Sequence, residues 1–367
     1  MKKIGILTFH NANNYGAVLQ AYALKSVLIN MGHTVHILNY YCPKLQKEYK
    51  GIPVLKKGLK ELIKYPFKLL CFPILRARIA TQFKAFREQY LLDTPPLTSN
   101  TIAKHTVSYD AFFCGSDQVF NPRITNFDSN YFLSFSSDKS KNYSYAASFG
   151  LSLENLSNRE TQFLSTHLAR FNRISVREKQ GTKIVKALSA QEPSVHIDPT
   201  LLLTKKQWQT MAVAPKQSKY VLLYLMYTDP ALVRFAAQFA REKGCSLLYI
   251  SHSMRFGKKL PATYVKPTVQ EWLGLFEHAS YVVTTSFHGL AFSINLNKPF
   301  VVQRAEGGNL NSRLDNLLTI TGLQNRLYTP STPISLFDEP IDWEHVNKVL
   351  DEQRAISISY LRGVTEC

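Results

Sequence analysis

The chain has 367 residues, 45% of them hydrophobic, and carries a formal net charge of +18. That length favours two domains over a single core, and the ordinary hydrophobic fraction excludes a disordered chain. Five cysteines, odd in number and without a CxxC pair, argue against a disulfide framework and a structural zinc site, so a reducing, cytoplasmic setting is expected.

The chain opens with Met1, Lys2 and Lys3 and an apolar run that is too short for a signal-peptide core. No run is long enough to span a bilayer, so a soluble protein is expected. Ile4 to Phe9 reads as a strand, His10 to Gly16 as a turn-rich loop, and Ala17 to Met31 as a helix. Apolar Val18, Leu19, Tyr22, Ala23 and Val27 mark that helix, Gly32 stops it, and Thr34 to Tyr40 follows as a second strand. Strand, loop, helix and strand make the first unit of a parallel sheet. The loop Asn11 to Gly16 is no GxGxxG, so the dinucleotide fingerprint is absent. Asn14 and Gly16 can present N–H groups to a ligand, or serve an ordinary βα turn.

Lys44 to Arg87 holds 12 Lys and Arg against two acids, Glu48 and Glu61, interleaved with apolar and aromatic residues. This stretch lies in a basic insertion at about 44–100. It reads as a solvated helical face or as a peripheral contact with an anionic membrane. No helix-turn-helix, RNP or zinc-finger pattern gives the charge a nucleic-acid docking element, so no nucleic-acid partner is expected.

Tyr109 to Cys114 is a further strand, and Ser116, Asp117 and Gln118 follow in the usual ligand position of an open α/β sheet. Ser116 or Asp117 could instead cap the next helix. Lys141 to Ser148 is a strand, Glu160 to Phe171 a helix, and Arg173 to Val176 a strand that delivers Arg177 and Glu178. That pair reads either as a surface ion pair or as a guanidinium aimed at a carboxylate or phosphate. Val195 to Thr200 is another strand tip, with Asp198 kept extended by Pro199.

The pattern breaks from Leu203 to Ser218. The expected organisation is a Rossmann-like domain over 1–203, a second over 219–330, and a tail and helix over 331–367 packing back on the first. The second series reads as strand Tyr220 to Tyr227, helix Pro230 to Lys243, strand Ser246 to Ser251, helix Thr268 to His278, strand Tyr281 to Thr285 and strand Pro299 to Gln303. A late helix carries Arg313, and Trp343 to Leu361 is a last long helix. In the turn Ser286-Phe-His288 between strand Tyr281 to Thr285 and a helix opening at Gly289, His288 is the residue that titrates near neutral pH. A helix N-terminus there suits an anion. His10, His33, His36, His196 and His252 are assigned no role. There is no HExxH or clustered acid set for a metal and no GxSxG elbow, so no metal or cofactor is expected.

The segment Ile6 to Leu24, Gly115-Ser-Asp-Gln-Val-Phe-Asn-Pro122, Val176-Arg-Glu178, Ile197-Asp-Pro-Thr200 and Ser286-Phe-His-Gly289 occur in an order and at spacings that resemble the polysaccharide pyruvyl transferase family. The resemblance implies a fold similar to the GT-B glycosyltransferases, with phosphoenolpyruvate as donor and a sugar hydroxyl pair as acceptor, on a glycan or a lipid- or nucleotide-linked sugar. It matches His288 to the family's strand-end histidine, an acid in contact with phosphate, and Arg177 to its donor-binding arginine. Asp117 is a second catalytic candidate. Family members often carry an arginine two residues before the histidine; here that position is Ser286, and a hydroxyl cannot replace a bidentate guanidinium. Arg313, or Arg304, could supply the charge. A transferase of the same fold using another donor, and a non-catalytic basic subunit of glycan assembly, stand as alternatives.

Overall fold

A computed structural model describes residues 1–42, 45, 80–227, 229–251, 262–305 and 311–366. Most of the basic stretch Lys44 to Arg87, and with it the expected membrane contact, lies outside the described residues. Among the described residues no helix is long and apolar enough to cross a membrane.

The first half starts with strand β1 (Lys3–Leu7), helix α1 (Tyr15–Asn30) and strand β2 (Thr34–Ile37), followed by β3 (Ala111–Cys114) and β4 (Asn142–Ser144). These strands are parallel in the order β2-β1-β3-β4. Helix α2 (Asn158–Leu168) opens on a capping box between Ser157 and Glu160, which satisfies N–H groups that the first turn leaves orphaned. Strand β5 (Ser175–Val176), helix α3 (Lys179–Leu188) and strand β6 (Ser194–Val195) come next. Parallel bridges from Tyr143 to Arg173 and from Ala147 to Val176 attach β5 and β6 beside β4. The chain then turns through a short helix α4 (Pro199–Leu202), with Asp198 as its cap and Pro199 at its first position.

The second half holds β7 (Tyr220–Leu225), α5 (Pro230–Glu242), β8 (Ser246–Ser251), β9 (Thr263–Tyr264), α6 (Val269–Glu277), β10 (Tyr281–Thr284), α7 (Phe287–Asn295), β11 (Phe300–Val302) and α8 (Ser312–Thr321). Its sheet is parallel in the order β11-β10-β7-β8-β9. The fully buried run Tyr220–Leu225 shows no alternation because helices cover both faces of such a sheet. The class is the expected one: α/β, built as two Rossmann-like units. In each sheet the strand order reverses between two neighbours, β1 and β3 in the first and β7 and β10 in the second. Ligands of such folds bind beyond the carboxyl ends at that reversal.

One core runs through both halves. Val18 and Leu24 of α1 join Leu222 and Tyr224 of β7, Trp272 of α6 and Phe292 of α7 in a single buried cluster. Tyr15 stacks on Trp272 with ring centroids 5.4 Å apart, and its hydroxyl donates to the Pro267 carbonyl at 2.7 Å. The long helix α9 (Trp343–Thr365) touches both halves. Tyr360 donates to the Ser144 carbonyl, while Arg354 donates to the Leu201 carbonyl and to Asn295.

The stretch from Leu203 to Ser218 contains a short helix, Lys205–Gln209, which the sequence pattern hides. Its Trp208 is buried and donates to the Thr200 carbonyl at 2.9 Å. Just beyond it the backbone passes close to α6. A Cβ at Gly274 would lie 1.7 Å from the Val213 carbonyl oxygen. Gly274→Ala is therefore expected to lower stability by about 2 kcal/mol or more, read as a lower urea midpoint at unchanged m-value.

Candidate functional site

The site grows from the start of α7. Ser286 caps the helix in extended backbone (φ −103°, ψ 135°), its side chain accepting from Gly289 N at 3.2 Å. The sequence pattern opens this helix at Gly289; the cap brings the opening forward to Phe287, so His288 sits in the first helical turn. Gly289 is required there, because a Cβ would lie 2.3 Å from Thr284 Oγ1. Thr284 Oγ1 is itself fixed by donating to the Tyr224 carbonyl at 2.7 Å, which holds the helix start against the strand ends.

His288 is 7% exposed, and its Nε2 lies 3.7 Å from Asp198 Oδ2 in the opposite half. No hydrogen-bond partner meets that buried nitrogen. The face of the ring rests on Gly16, where a Cβ would lie 2.0 Å from Nδ1 and 2.1 Å from Cγ. Gly16 thus permits the start of α1 and the start of α7 to meet around one imidazole. Asn14 caps α1, its side chain accepting from Ala17 N at 3.2 Å. Two helix N-termini, each with partial positive charge, converge on His288.

Arg177 follows β5 and is buried, so it is not the surface ion pair that its sequence neighbourhood allows. Nη1 donates to Asp198 Oδ2 at 2.5 Å, Nη2 lies 3.5 Å from Asp117 Oδ1, and Nε lies 4.0 Å from Glu178 Oε2. Its guanidinium sits over the Phe287 ring at 4.5 Å, and Arg313 approaches the same ring at 6.0 Å. Arg177 Nε and Nη2 and Arg313 Nε are buried without hydrogen-bond partners. Burial lowers the Arg313 pKa, with the like charge of Arg177 adding to it, and pushes it down to about 10. Burial acts the same way on Arg177, but Asp198, Asp117 and Glu178 together outweigh it and hold that guanidinium above its usual value. Asp198 is the mirror case. Burial would raise its carboxyl, yet contacts with His288 and Arg177 and the Thr200 N–H hold it well below the usual range.

The remaining expectations divide. Ser116 is fully buried, its hydroxyl 2.5 Å from the Ala146 carbonyl and 3.3 Å from Asp198 Oδ2. Asp117 takes left-handed backbone at φ 68°. Neither caps the next helix; Asn121 does, accepting from Arg123 N at 3.0 Å. Gln118 packs its amide oxygen against Gly150, where a Cβ would lie 2.0 Å away, and that oxygen is buried without a hydrogen-bond partner. Arg304 is half exposed and pairs with Asp315 at 2.8 Å, whereas Arg313 joins the cluster. Sequence reasoning gave no role to Asp198, Glu178 or Phe287, although each lies within a quoted motif. Glu178 Oε1 accepts from Ser148 Oγ and Phe149 N, and its Oε2 is buried without a hydrogen-bond partner. Among the described residues no group of three or more His, Cys, Asp or Glu side chains is arranged to hold a metal ion.

A sequence model of the polysaccharide pyruvyl transferase family matches residues 14–302. No curated protein matches the chain. Among solved structures, Staphylococcus aureus MnaA with UDP is 12% identical, with a TM-score of 0.49 over 98% of this chain and 91% of that one. A UDP-GlcNAc 2-epimerase from Methanocaldococcus jannaschii is 11% identical, with a TM-score of 0.47 over 96% and 92%. The spinosyn rhamnosyltransferase SpnG is 12% identical, with a TM-score of 0.47 and full coverage of both chains.

Proposed function

The chain belongs to the polysaccharide pyruvyl transferase family, and we propose that it moves a pyruvyl group from phosphoenolpyruvate to a hydroxyl pair on a sugar, forming a ketal. The acceptor is a surface polysaccharide or its lipid- or nucleotide-linked precursor, handled in the cytoplasm. The observation that carries this reading is the pairing of buried Arg177 and partly buried Arg313 about Phe287, beside His288, with buried N–H groups that no protein group accepts. A compact polyanion needs such preorganised donors.

In this reading the donor's carboxylate and phosphate take the unpartnered N–H groups of the two arginines. His288 protonates the methylene carbon, which becomes a methyl group and leaves the central carbon electrophilic. The first sugar hydroxyl adds to that carbon and gives up its proton. Phosphate then departs with the C–O bonding pair, and the second hydroxyl closes the ketal as its proton leaves. One hydroxyl proton replaces the proton spent by His288, and the other is carried off by phosphate. Asp117 is the base, freed when the donor displaces it from its 3.5 Å contact with Arg177. A histidine acid and a carboxylate base suit proton transfer near neutral pH. Asn14 and Gly16 line the donor and acceptor approaches from the start of α1, while Ser116 backs Asp198 and Gln118 packs on Gly150.

Ser286 spends its side chain on the helix cap, so it brings no charge to the donor. Arg313 supplies that charge from α8 in this reading. Arg313→Ala is expected to weaken phosphoenolpyruvate binding by about 1.5–3 kcal/mol, the range for a charged hydrogen bond. Calorimetric titration checks it, and unchanged affinity would remove Arg313 from the site. The reading as a whole is tested by phosphate release from phosphoenolpyruvate in the presence of glycan acceptor. The capping serine also favours a second reading, another donor on the same fold. Thermal stabilisation by a UDP-sugar but not by phosphoenolpyruvate would select it.

A further inference from the structure

Asp198 has no part in the chemistry above, yet it is the group on which both halves of the site close. Its two oxygens face different ways. Oδ1 accepts from the Thr200 N–H at 3.0 Å and from the Thr200 hydroxyl at 2.8 Å, which fixes the carboxylate to the start of α4. Oδ2 accepts from Arg177 Nη1 at 2.5 Å, lies 3.3 Å from Ser116 Oγ, and stands 3.7 Å from His288 Nε2. The carboxylate is 1% exposed. Its support is equally fixed: Asn295 of α7 donates to the Thr200 and Leu203 carbonyls at 2.9 Å each, and Arg354 of α9 donates to the Leu201 carbonyl at 2.7 Å. The short helix that carries Asp198 is thus tied to α7, the helix that carries His288.

We propose that Asp198 is a positioning residue that orients Arg177 from its own half and fixes the tautomer of His288 from the other. A neutral imidazole carries its proton on one nitrogen, and a carboxylate facing the other partner selects which one. A buried carboxylate beside Nε2 favours the proton there. Nδ1 is then the nitrogen that takes up a proton and passes it to the substrate, while Gly16 supports the face of the ring. The same oxygen anchors one branch of the Arg177 fork and leaves Nε and Nη2 for an anion. This rests on the reading of His288 as acid and Arg177 as donor-binding group.

Asp198→Asn keeps the size of the side chain and an oxygen for Thr200, but it turns an N–H toward Arg177 and His288. The expected result is a fall in kcat of about 10³-fold or more, as when the orienting acid of a histidine is made an amide. A merely structural carboxylate would not alter the nitrogen signals of His288. These are read by 15N spectroscopy of the full-length protein at alkaline pH, assigned with His288→Gln. Wild type is expected in the Nε2–H form, and Asp198→Asn in a mixture or in the Nδ1–H form. Thr200→Val, which removes only the hydroxyl contact to Oδ1, is expected to leave the Nε2–H form in place. An unchanged tautomer in folded Asp198→Asn overturns the proposal, as does a wild type in the Nδ1–H form. If Asp198→Asn does not fold, Asp198→Glu replaces it in the same comparison. Failure of the wild type to release phosphate from phosphoenolpyruvate would sink the proposed function and leave the tautomer comparison to decide this inference by itself.

Discussion

Replacing His288 by glutamine is expected to cut turnover by about 10²- to 10⁴-fold, the span that a positioned proton donor contributes. The fold should survive the change. Nε2 makes no hydrogen bond to lose, and an amide of similar reach still offers an N–H toward Asp198. Donor affinity should change far less than turnover, because in the proposed function Arg177 and Arg313 hold the charge of the donor. The test is steady-state phosphate release alongside calorimetric binding of phosphoenolpyruvate. Turnover close to wild type would remove His288 from the chemistry, whatever its location.

Arg177→Met should act mainly through stability, with a loss of about 3–5 kcal/mol, the usual result of deleting one partner of a buried pair. Asp198 would then be buried with no guanidinium, and Asp117 and Glu178 would lose their nearest cation. The sign of the pH dependence follows. In the wild type the Asp198 carboxyl is held below its unfolded value, so its contribution is full above the unfolded pKa and is lost as pH falls through the folded one. Without Arg177 the His288 contact and the Thr200 N–H still hold that carboxyl down, but less strongly, so its folded pKa moves up toward the unfolded value. The deficit should be full at neutral pH and should shrink as pH falls to about 4, the unperturbed aspartate range, and below. Urea unfolding at both pH values measures it. An equal deficit at the two would show that charge is not the cause.

Much of the frame was legible because its signals are local. Gly32 stops a helix, a buried run makes β7, and Ser246–Ser251 is a strand in the sequence reading and in the fold alike. The start of α7 was placed late because a serine cap and an aromatic first position carry no apolar periodicity. The short helix Lys205–Gln209 escaped notice for a related reason: with a single buried residue, Trp208, it has no stripe to read. What one sequence cannot display is which side chains meet across the seam. Arg177 and Glu178 look the same in a surface pair as in a buried one, and nothing local separates them. Asp198 was visible only as an acid that Pro199 keeps extended at a strand tip. In the fold it also caps α4, but with Oδ1 alone. The free oxygen matters because β5 and α7, remote in sequence, deliver Arg177 and His288 to it.

The stacking of Tyr15 on Trp272 has an optical consequence. The two rings come from opposite halves and lie nearly parallel, 12° apart, so one face of the indole is covered by the other half only while the halves stay together. Opening the seam would trade an aromatic neighbour for water and move tryptophan emission toward longer wavelengths. The chain has three tryptophans; with Trp208 and Trp343 changed to phenylalanine, Trp272 would be the sole emitter. The molecule then carries its own spectroscopic gauge of separation between the halves, one residue of α1 away from the Gly16 that meets the imidazole at their junction.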